Sequence, residues 1–355
     1  MRIAIVQILI LGALVACGDI SNEVMTTPIK EDNLIDEEAS LETTPQAHTS
    51  DSTKTPLPMD TPQPTETKVW SEKPATVPPD TTTIIRDIQY GDGVNGEKNL
   101  LDLYLPDNPI GKTPVIIWIH GGGLTSGDKS MARRGMALVK DGFALVGINY
   151  RLAPDYFLPD QIYDAKAAVR WVRANAGKYN LDSDNVGVLG GSAGALLAAV
   201  LGTSGDVEEL EGNVGSYLDH SSRVQAIVPL AGVYDLSNYY KNKVNICEPE
   251  KIDDQDKCYL EWFLGCSLVY ESCWEALELG SAISHVSPDD PPFFICIGDE
   301  DQTPMGLEDH TNFHNALQEM GVDSTLTIIP GAQHGQCFGR AFNDIIDFLN
   351  NQLKQ

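Results

Sequence analysis

The stretch Asn185–Leu201 reads NVGVLGGSAGALLAAVL and decides the fold of the chain. It begins with a short apolar run, which is typical of a buried strand, and it ends in an Ala/Leu run, which is typical of a helix packed in a core. Between them, small residues flank Ser192, so that the helix can pass close to the strand and the serine can adopt a strained backbone. The stretch therefore predicts a strand, a tight turn and a helix with Ser192 at the turn.

Around this stretch, apolar strands alternate with amphipathic helices, and the first two strands are expected to form a hairpin. This alternation predicts an α/β fold, a doubly wound and mostly parallel sheet whose functional sites lie at the carboxyl ends of the strands. Residues 234–285 do not fit the alternation and predict a small lid inserted after Leu230. The predicted strands are Thr83–Tyr90, Leu100–Leu105, Pro114–Ile119, Phe143–Asn149, Val224–Leu230, Pro292–Ile297 and Thr325–Ile329, and the predicted helices are Lys129–Asp141, Gln161–Ala176, Leu307–Met320 and Ala341–Gln352.

The first 16 residues, MRIAIVQILILGALVA, carry one arginine followed by an unbroken apolar run. This run is short for a membrane span and is typical of the apolar region of a signal peptide. The residues LVACG at 14–18 resemble the lipobox of bacterial lipoproteins, which implies that Cys17 is lipidated. The alternative is a plain secretory signal with an incidental cysteine. The lipobox interpretation predicts an exported chain held at the bacterial cell envelope by its lipid anchor.

Residues 17–80 are predicted to be a disordered tether, and residues 81–355 are predicted to be one catalytic domain. Positions 18–80 hold 11 Thr, 9 Pro, 13 acidic and 4 basic residues, a composition that buries too little apolar surface to fold. The remainder is long enough for one large domain with a full core. The formal net charge of the whole chain is −27, which argues against nucleic acid and anionic membrane surfaces as partners.

The segment His120-Gly121-Gly122-Gly123 directly follows the predicted strand PVIIWI. Glycines let a loop fold back and point several N–H groups at one position, as acyl transfer requires for the negative oxygen of its tetrahedral intermediate. The candidate donors of this oxyanion hole are the amides of Gly121, Gly122 and Ala193. A phosphate-binding loop is the alternative, but the Lys-Ser/Thr pair of a P-loop does not follow. His120 is interpreted as a brace of the loop rather than as a catalytic base.

Two further loops after predicted strands carry the candidate partners of Ser192. Asp301 follows the strand PFFICI and is the candidate acid, with Asp299 as its main rival on the same loop. His334 lies in GAQHG after the strand TLTII and is the candidate general base. The order of Ser192, Asp301 and His334 along the chain is the one that the G-x-S-x-G hydrolases use.

Taken together, HGGG, NYRLAP at Asn149–Pro154, GGSAG, the DED loop and GAQHG resemble the esterase branch of the α/β-hydrolases. More narrowly, the domain is similar to hormone-sensitive-lipase-like esterases and to bacterial feruloyl-esterase-like hydrolases. The resemblance covers nearly all of residues 83–353. It implies a serine carboxylesterase that works through an acyl-enzyme, with no metal and no organic cofactor. Within NYRLAP, Arg151 is expected to be a structural clamp beneath the site.

The chain departs from the pattern of these esterases at three positions. Ala195 stands where many relatives have a second glycine, and Leu124 follows HGGG where an aromatic residue is frequent. Gln302 replaces the usual proline after the acid, which bears on the assignment of Asp301 over Asp299.

Six cysteines follow the candidate lipidation site, and an exported chain permits them to form disulfides. The short loops between them favour the pairs Cys266–Cys273 and Cys247–Cys258 in the lid, with metal binding by these cysteines as the weaker interpretation. Cys296 lies in a buried strand and is expected to be an inert thiol, with a bridge to Cys337 as the alternative. The lid also concentrates aromatic residues, of which one or two are expected to line a substrate pocket.

The sequence thus predicts a serine esterase that acts on a small-molecule ester, with acylated carbohydrates and phenolic esters as candidate substrates. One alternative is a serine peptidase of the prolyl-oligopeptidase type, which shares the order of the triad. The HGGG motif and the lack of a propeller-length N-terminal region argue against this alternative. Another is a hydrolase fold kept as a non-catalytic binding module, although such proteins typically lose a triad member and none is missing here. The acyl chain length and the oligomeric state are not predicted.

Overall fold

The structure is a computed structural model that describes residues 82–91, 99–107, 109–242, 259–266, 271–302 and 306–354. The predicted signal peptide, Cys17 and the predicted tether lie outside these ranges. The strands are β1 (Thr83–Gln89), β2 (Leu100–Leu105), β3 (Thr113–Ile119), β4 (Ala144–Ile148), β5 (Leu181–Gly191), β6 (Ala226–Leu230), β7 (Phe293–Gly298) and β8 (Ser324–Ile329). The helices are α1 (Met136–Lys140), α2 (Asp160–Tyr179), α3 (Ala193–Thr203), α4 (Leu236–Asn242), α5 (Tyr259–Leu264), α6 (Glu271–Leu279), α7 (Leu307–Glu319), α8 (Cys337–Arg340) and α9 (Phe342–Leu353), with 3₁₀ turns at Lys129–Gly135, Glu208–Leu210 and Ala282–His285.

The eight strands form one sheet in the order β1-β2-β4-β3-β5-β6-β7-β8. The pairs β1/β2 and β2/β4 are antiparallel, and every other neighbouring pair is parallel. The predicted leading hairpin and the predicted doubly wound, mostly parallel sheet are therefore confirmed. β4 and β6, most of β3 and the second half of β5 are continuous buried runs because helices cover both faces of the sheet.

Two apolar clusters lie on opposite faces of this sheet. One cluster is built on α2, α3 and α7, and its centre is formed by fully buried side chains such as Val169, Leu197 and Phe313. The other is built on α1 and α9, which contribute Leu138 and Ile345. The helix predicted over Lys129–Asp141 is the main difference, since its first half winds as a 3₁₀ turn before α1 begins.

The described part of the predicted lid consists of α4, α5, α6 and the 3₁₀ turn Ala282–His285, all between β6 and β7. A disulfide joins Cys266, just after α5, to Cys273 in α6, and the two Cα atoms are 5.6 Å apart. This pairing agrees with the expectation from the short loop. Cys247 and Cys258 lie outside the described residues. Within the ranges given above, no helix combines the length and the apolar character that crossing a membrane requires.

The carboxyl ends of β5, β6, β7 and β8 are joined by backbone hydrogen bonds. Ser192 N donates to Leu230 O at 2.9 Å, and Ala231 N donates to Cys296 O at 2.8 Å. Asp299 N donates to Ile329 O at 3.2 Å. These bonds align the loops that carry the candidate serine, acid and base along a single edge of the sheet.

Candidate active site

Ser192 lies in the sharp turn between β5 and α3, as the sequence predicts. Its backbone has φ 57° and ψ −123°, a conformation that non-glycine residues rarely adopt. The glycines two positions away on either side make the turn sterically feasible, since a Cβ atom at Gly190 would lie only 2.0 Å from the carbonyl oxygen of Gly194. The strain is held by the neighbouring strand, because Ser192 N donates to Leu230 O.

The HGGG loop packs directly against this turn. A Cβ atom at Gly121 would lie 2.7 Å from Gly191 O and 3.2 Å from the Cβ of Ser192, so only glycine permits the observed approach. Ala193 is the first residue of α3, where backbone N–H groups have no partner inside the helix. The structure thus brings the backbone of Gly121 close to the turn in which Ala193 follows Ser192, and Gly122 continues the same loop with φ 117°.

His120 is buried beneath the loop. Its Nδ1 lies 2.8 Å from Gly121 O, and because a carbonyl only accepts, Nδ1 is the donor. The imidazole stacks on Tyr150 at 4.2 Å between ring centroids, and the Tyr150 hydroxyl donates to His120 O at 2.9 Å. Burial lowers the pKa of His120 below its usual value. These contacts match the interpretation of His120 as a brace.

Arg151 clamps the NYRLAP segment to α2. Its Nε donates to both carboxylate oxygens of Asp164 at 2.9 and 3.0 Å, and its Nη1 pairs with Asp160 at 2.9 Å. The Asp164 side chain is fully buried, and its bidentate pair with Arg151 offsets the cost of burying the carboxylate charge. Arg151 therefore has the structural role expected from the sequence.

Asp301 and His334 form a direct pair. Asp301 Oδ2 lies 2.9 Å from His334 Nδ1, and the Asp301 side chain is 1% exposed while that of His334 is 33% exposed. Asp299, the rival acid, has a different partner, since its Oδ1 accepts a hydrogen bond from Gly331 N at 2.6 Å. The geometry gives each aspartate a distinct position: Asp301 contacts the imidazole, and Asp299 fixes the start of the loop that carries it.

A second disulfide corrects one expectation. Cys296 in β7 is bonded to Cys337 at the start of α8, with Cα atoms 6.0 Å apart, so the interpretation of Cys296 as an inert thiol is wrong. Both residues are buried. The strand order explains the pairing, because the chain returns from β8 into α8 beside β7, whereas the 41-residue separation in sequence gives no such indication.

A pocket opens beside Ser192 and Ala193. It has about 450 Å³ of space, counting its open mouth. Its other lining residues, which carry no charged group, are Gly123, Leu124, Leu196, Val233, Leu236, Tyr239 and Phe263. Tyr239 and Phe263 are thus the lid aromatics that line a pocket, as the composition of the lid suggested.

Sequence reasoning missed three aliphatic members of this pocket, Leu196, Val233 and Leu236. Leu196 stands four residues after Ser192, one helical turn along α3, a spacing that places two residues on one face of a helix. Val233 and Leu236 follow the carboxyl end of β6, where sites of parallel sheets lie. Both signals were available in the sequence.

In the part of the chain that the structure describes, no three His, Cys, Asp or Glu side chains come together in a way that could hold a metal ion. At the carboxyl ends of the strands, Ser192 stands in the turn after β5, next to the HGGG loop, and the Asp301–His334 pair stands on the loops that follow β7 and β8. A half-buried serine in a strained turn, a carboxylate-bound imidazole and a glycine loop are parts that acyl transfer requires.

Comparison with known proteins agrees with this chemistry. Esterase LipQ of Mycobacterium tuberculosis is 34% identical over 253 residues, which are 70% of this chain and 56% of LipQ. A solved structure titled as a truncated form of carbohydrate esterase from gut microbiota is 30% identical, with a TM-score of 0.66 over 77% of this chain and 97% of its own. The bifunctional GH43-CE of Bacteroides eggerthii is 32% identical, with a TM-score of 0.65 over 76% of this chain and 38% of its own.

The chain spans just over half the length of the curated relatives that it matches, LipQ among them. A family model described as BD-FAE matches residues 101–317, more than half of the chain. That range includes all but the first residue of β2, the HGGG loop, the Ser192 turn and the loop of Asp301. The chain belongs to the BD-FAE family and has the α/β-hydrolase fold.

Proposed function

We propose that this protein is a serine carboxylic-ester hydrolase that works through an acyl-enzyme. The observation that carries the proposal is the Asp301–His334 pair, 2.9 Å apart, on the sheet edge where Ser192 opens into a pocket. The relatives reported above are esterases by name, and this favours ester hydrolysis over peptide hydrolysis.

In this mechanism His334 is the general base. Its Nδ1 faces Asp301, so Nε2 is the nitrogen that takes the proton from Ser192 Oγ as the oxygen attacks the ester carbonyl. The amides of Gly121, Gly122 and Ala193 donate to the resulting oxyanion, and the loss of one such donor costs about 3–4 kcal/mol in other acyl-transfer sites.

The tetrahedral intermediate then collapses. His334 returns its proton to the leaving alcohol, and the acyl group stays on Ser192 as an ester. A water molecule, deprotonated by the same imidazole, attacks this acyl-enzyme and releases the carboxylic acid. Asp301 keeps the imidazole in the required tautomer and stabilises its positive charge.

The pocket suggests which part of the substrate enters it. Its aliphatic and aromatic lining suits the acyl group, and Tyr239 and Phe263 of the lid limit the length of chain that fits. We therefore infer short acyl groups as the preferred acids. The alcohol would lie towards the exposed side of His334, and acylated carbohydrates are the candidates, in keeping with the carbohydrate esterase among the similar structures.

We also propose that the protein is exported and is anchored to the cell envelope through lipidated Cys17. Two disulfides support export, because disulfides persist in oxidising compartments and are rare in the cytosol. The LVACG sequence at residues 14–18 supports the anchor.

The experiment that tests the activity compares two substrates with the wild type and with Ser192→Ala. Wild-type protein should hydrolyse p-nitrophenyl acetate, and the variant should not. A prolyl anilide should remain intact with both. Hydrolysis of the anilide in preference to the ester would favour a peptidase, and hydrolysis of neither by the wild type would favour a binding module.

A further inference from the structure

We propose that the Cys296–Cys337 disulfide positions His334 against Asp301, and that its loss impairs the chemical step rather than substrate binding. The inference rests on the proposed esterase function and adds to it a positioning pair of residues. It comes from the place of the bond in the fold, between the two segments that carry the acid and the base.

The bond lies close to both members of the pair. Cys296 is five residues before Asp301 and is fully buried in β7, and Cys337 is three residues after His334 at the start of α8. The disulfide thus fixes the distance between the strand leading to Asp301 and the end of the His334 loop. Asp301 and His334 are 33 residues apart along the chain, so this cross-link shortens the covalent path between them.

The segment before His334 is already fastened to the acid loop. Gly331 N donates to Asp299 Oδ1 at 2.6 Å, and Glu300 N donates to Ala332 O at 3.1 Å. A Cβ atom at Gly298 would lie 2.1 Å from Ala332 O, which shows how closely the two backbones approach. On this side, the contacts with the acid loop place the histidine loop, together with the hydrogen bond that Arg340 Nη1 of α8 donates to Pro330 O at 3.0 Å.

The segment after His334 is held differently. Residues 333–336 are exposed, so burial contributes little to their position. Gln333 and Gln336 bond to each other, and Gln336 O also accepts from Arg340 N at 3.1 Å, so these bonds tie the loop to α8 and not to β7. Cys337 is the first buried residue after His334. Phe338 does pack edge-on against Trp118, at 5.1 Å between ring centroids, but this contact imposes no fixed distance to β7.

The consequence for catalysis follows from the sensitivity of proton transfer to geometry. A displacement of about 1 Å of a catalytic group can lower the rate by about 100-fold. Without the disulfide, the carboxyl side of the loop can shift while its amino side stays in place, which would rotate the imidazole away from the carboxylate. The pocket is lined by other elements, so ester binding should change little.

The test removes each disulfide in turn and measures p-nitrophenyl acetate hydrolysis below the unfolding temperature. Fluorophosphonate titration is carried to its end point, however slowly each protein reacts, and counts the folded serine sites, so that kcat is expressed per site and not per milligram of protein. For Cys296→Ala/Cys337→Ala we expect kcat per titrated site to fall at least 10-fold, with KM within 3-fold of the wild type. A loss of stability alone would reduce the number of titrated sites and leave this ratio unchanged.

The control is Cys266→Ala/Cys273→Ala, which also removes one disulfide, between the half-buried Cys266 and the buried Cys273. Neither of its cysteines lines the pocket or lies near Ser192, Asp301 or His334 in sequence, and we expect its kcat per titrated site to stay within 3-fold of the wild type. The inference is overturned if Cys296→Ala/Cys337→Ala keeps its kcat per site, or if both double variants lose kcat equally.

A variant that fails to fold also decides the question. The single variant Cys337→Ala also breaks the disulfide but keeps the Cys296 side chain in the core. The same measurement on this variant therefore tests the inference with a smaller loss of packing. If neither variant folds by circular dichroism, the bond maintains the fold and not the pair, and the inference is wrong. If the wild type itself hydrolyses no ester, the proposed function fails, which is a result distinct from any of these.

Discussion

Asp299 and Asp301 stand two residues apart on one loop, yet the fold gives them different partners. The carboxylate of Asp301 is buried against the imidazole of His334, and that of Asp299 accepts a backbone hydrogen bond from Gly331. A sequence containing DED cannot distinguish these roles, because a shift of two residues leaves the composition of the loop unchanged. The distinction depends on how β7 and β8 align, which is a property of the sheet.

The two aspartates can be separated by isosteric substitutions. Asp301→Asn should lower kcat/KM for p-nitrophenyl acetate by about 10³–10⁴-fold, since an amide no longer holds the imidazole in the required tautomer. Asp299→Asn should stay within about 5-fold of the wild type, because its side-chain oxygen can still accept from Gly331 N. A larger loss for Asp299→Asn than for Asp301→Asn would reverse the assignment of the acid.

At the scale of elements, α4 presents two neighbouring tyrosines to different surroundings. Tyr239 lines the pocket beside Ser192, whereas the ring of Tyr240 packs against Trp274 at 5.3 Å between centroids. Of these two neighbours on α4, Tyr239 therefore contributes to the pocket wall and Tyr240 contributes to packing within the lid. Substitution of Tyr239 therefore tests the role of the pocket, and substitution of Tyr240 on the same helix is its control.

Tyr239→Ala should enlarge the acyl pocket. The ratio of kcat/KM for p-nitrophenyl octanoate to that for the acetate should rise by about 10-fold, since each buried methylene contributes about 0.8 kcal/mol once there is room for it. Tyr240→Ala should leave this ratio unchanged. Equal ratios in wild type and Tyr239→Ala would mean that the acyl chain does not enter this pocket.

Much of the fold was predictable from periodicity and turn residues. The predicted strand Pro292–Ile297 and the observed β7 differ by one residue at each end, and the turn at Ser192 needed only its small flanking residues. The features that could not be predicted depend on strand order. The Cys296–Cys337 bond is the clearest case, since it depends on the return of the chain from β8 into α8 beside β7.

At the scale of the whole chain, the proposed anchor can be tested by fractionation. Cells that express the wild type should carry esterase activity in the membrane fraction, and detergent should release it. Cys17→Ser removes the thiol that would be acylated, and its activity should appear in the soluble fraction because the acyl chains supply the membrane affinity. The same distribution for both proteins would contradict lipid anchoring at Cys17.

The measurement that tests the central claim most directly is a double-mutant cycle on Ser192 and His334. It compares the kcat of p-nitrophenyl acetate hydrolysis for the wild type, Ser192→Ala, His334→Ala and the double variant. Residues that act as one catalytic unit are strongly non-additive, so each single variant should lose about as much activity as the double variant. Losses that simply multiply, or a Ser192→Ala protein that retains its activity, would contradict the assignment of Ser192 and His334 as nucleophile and base.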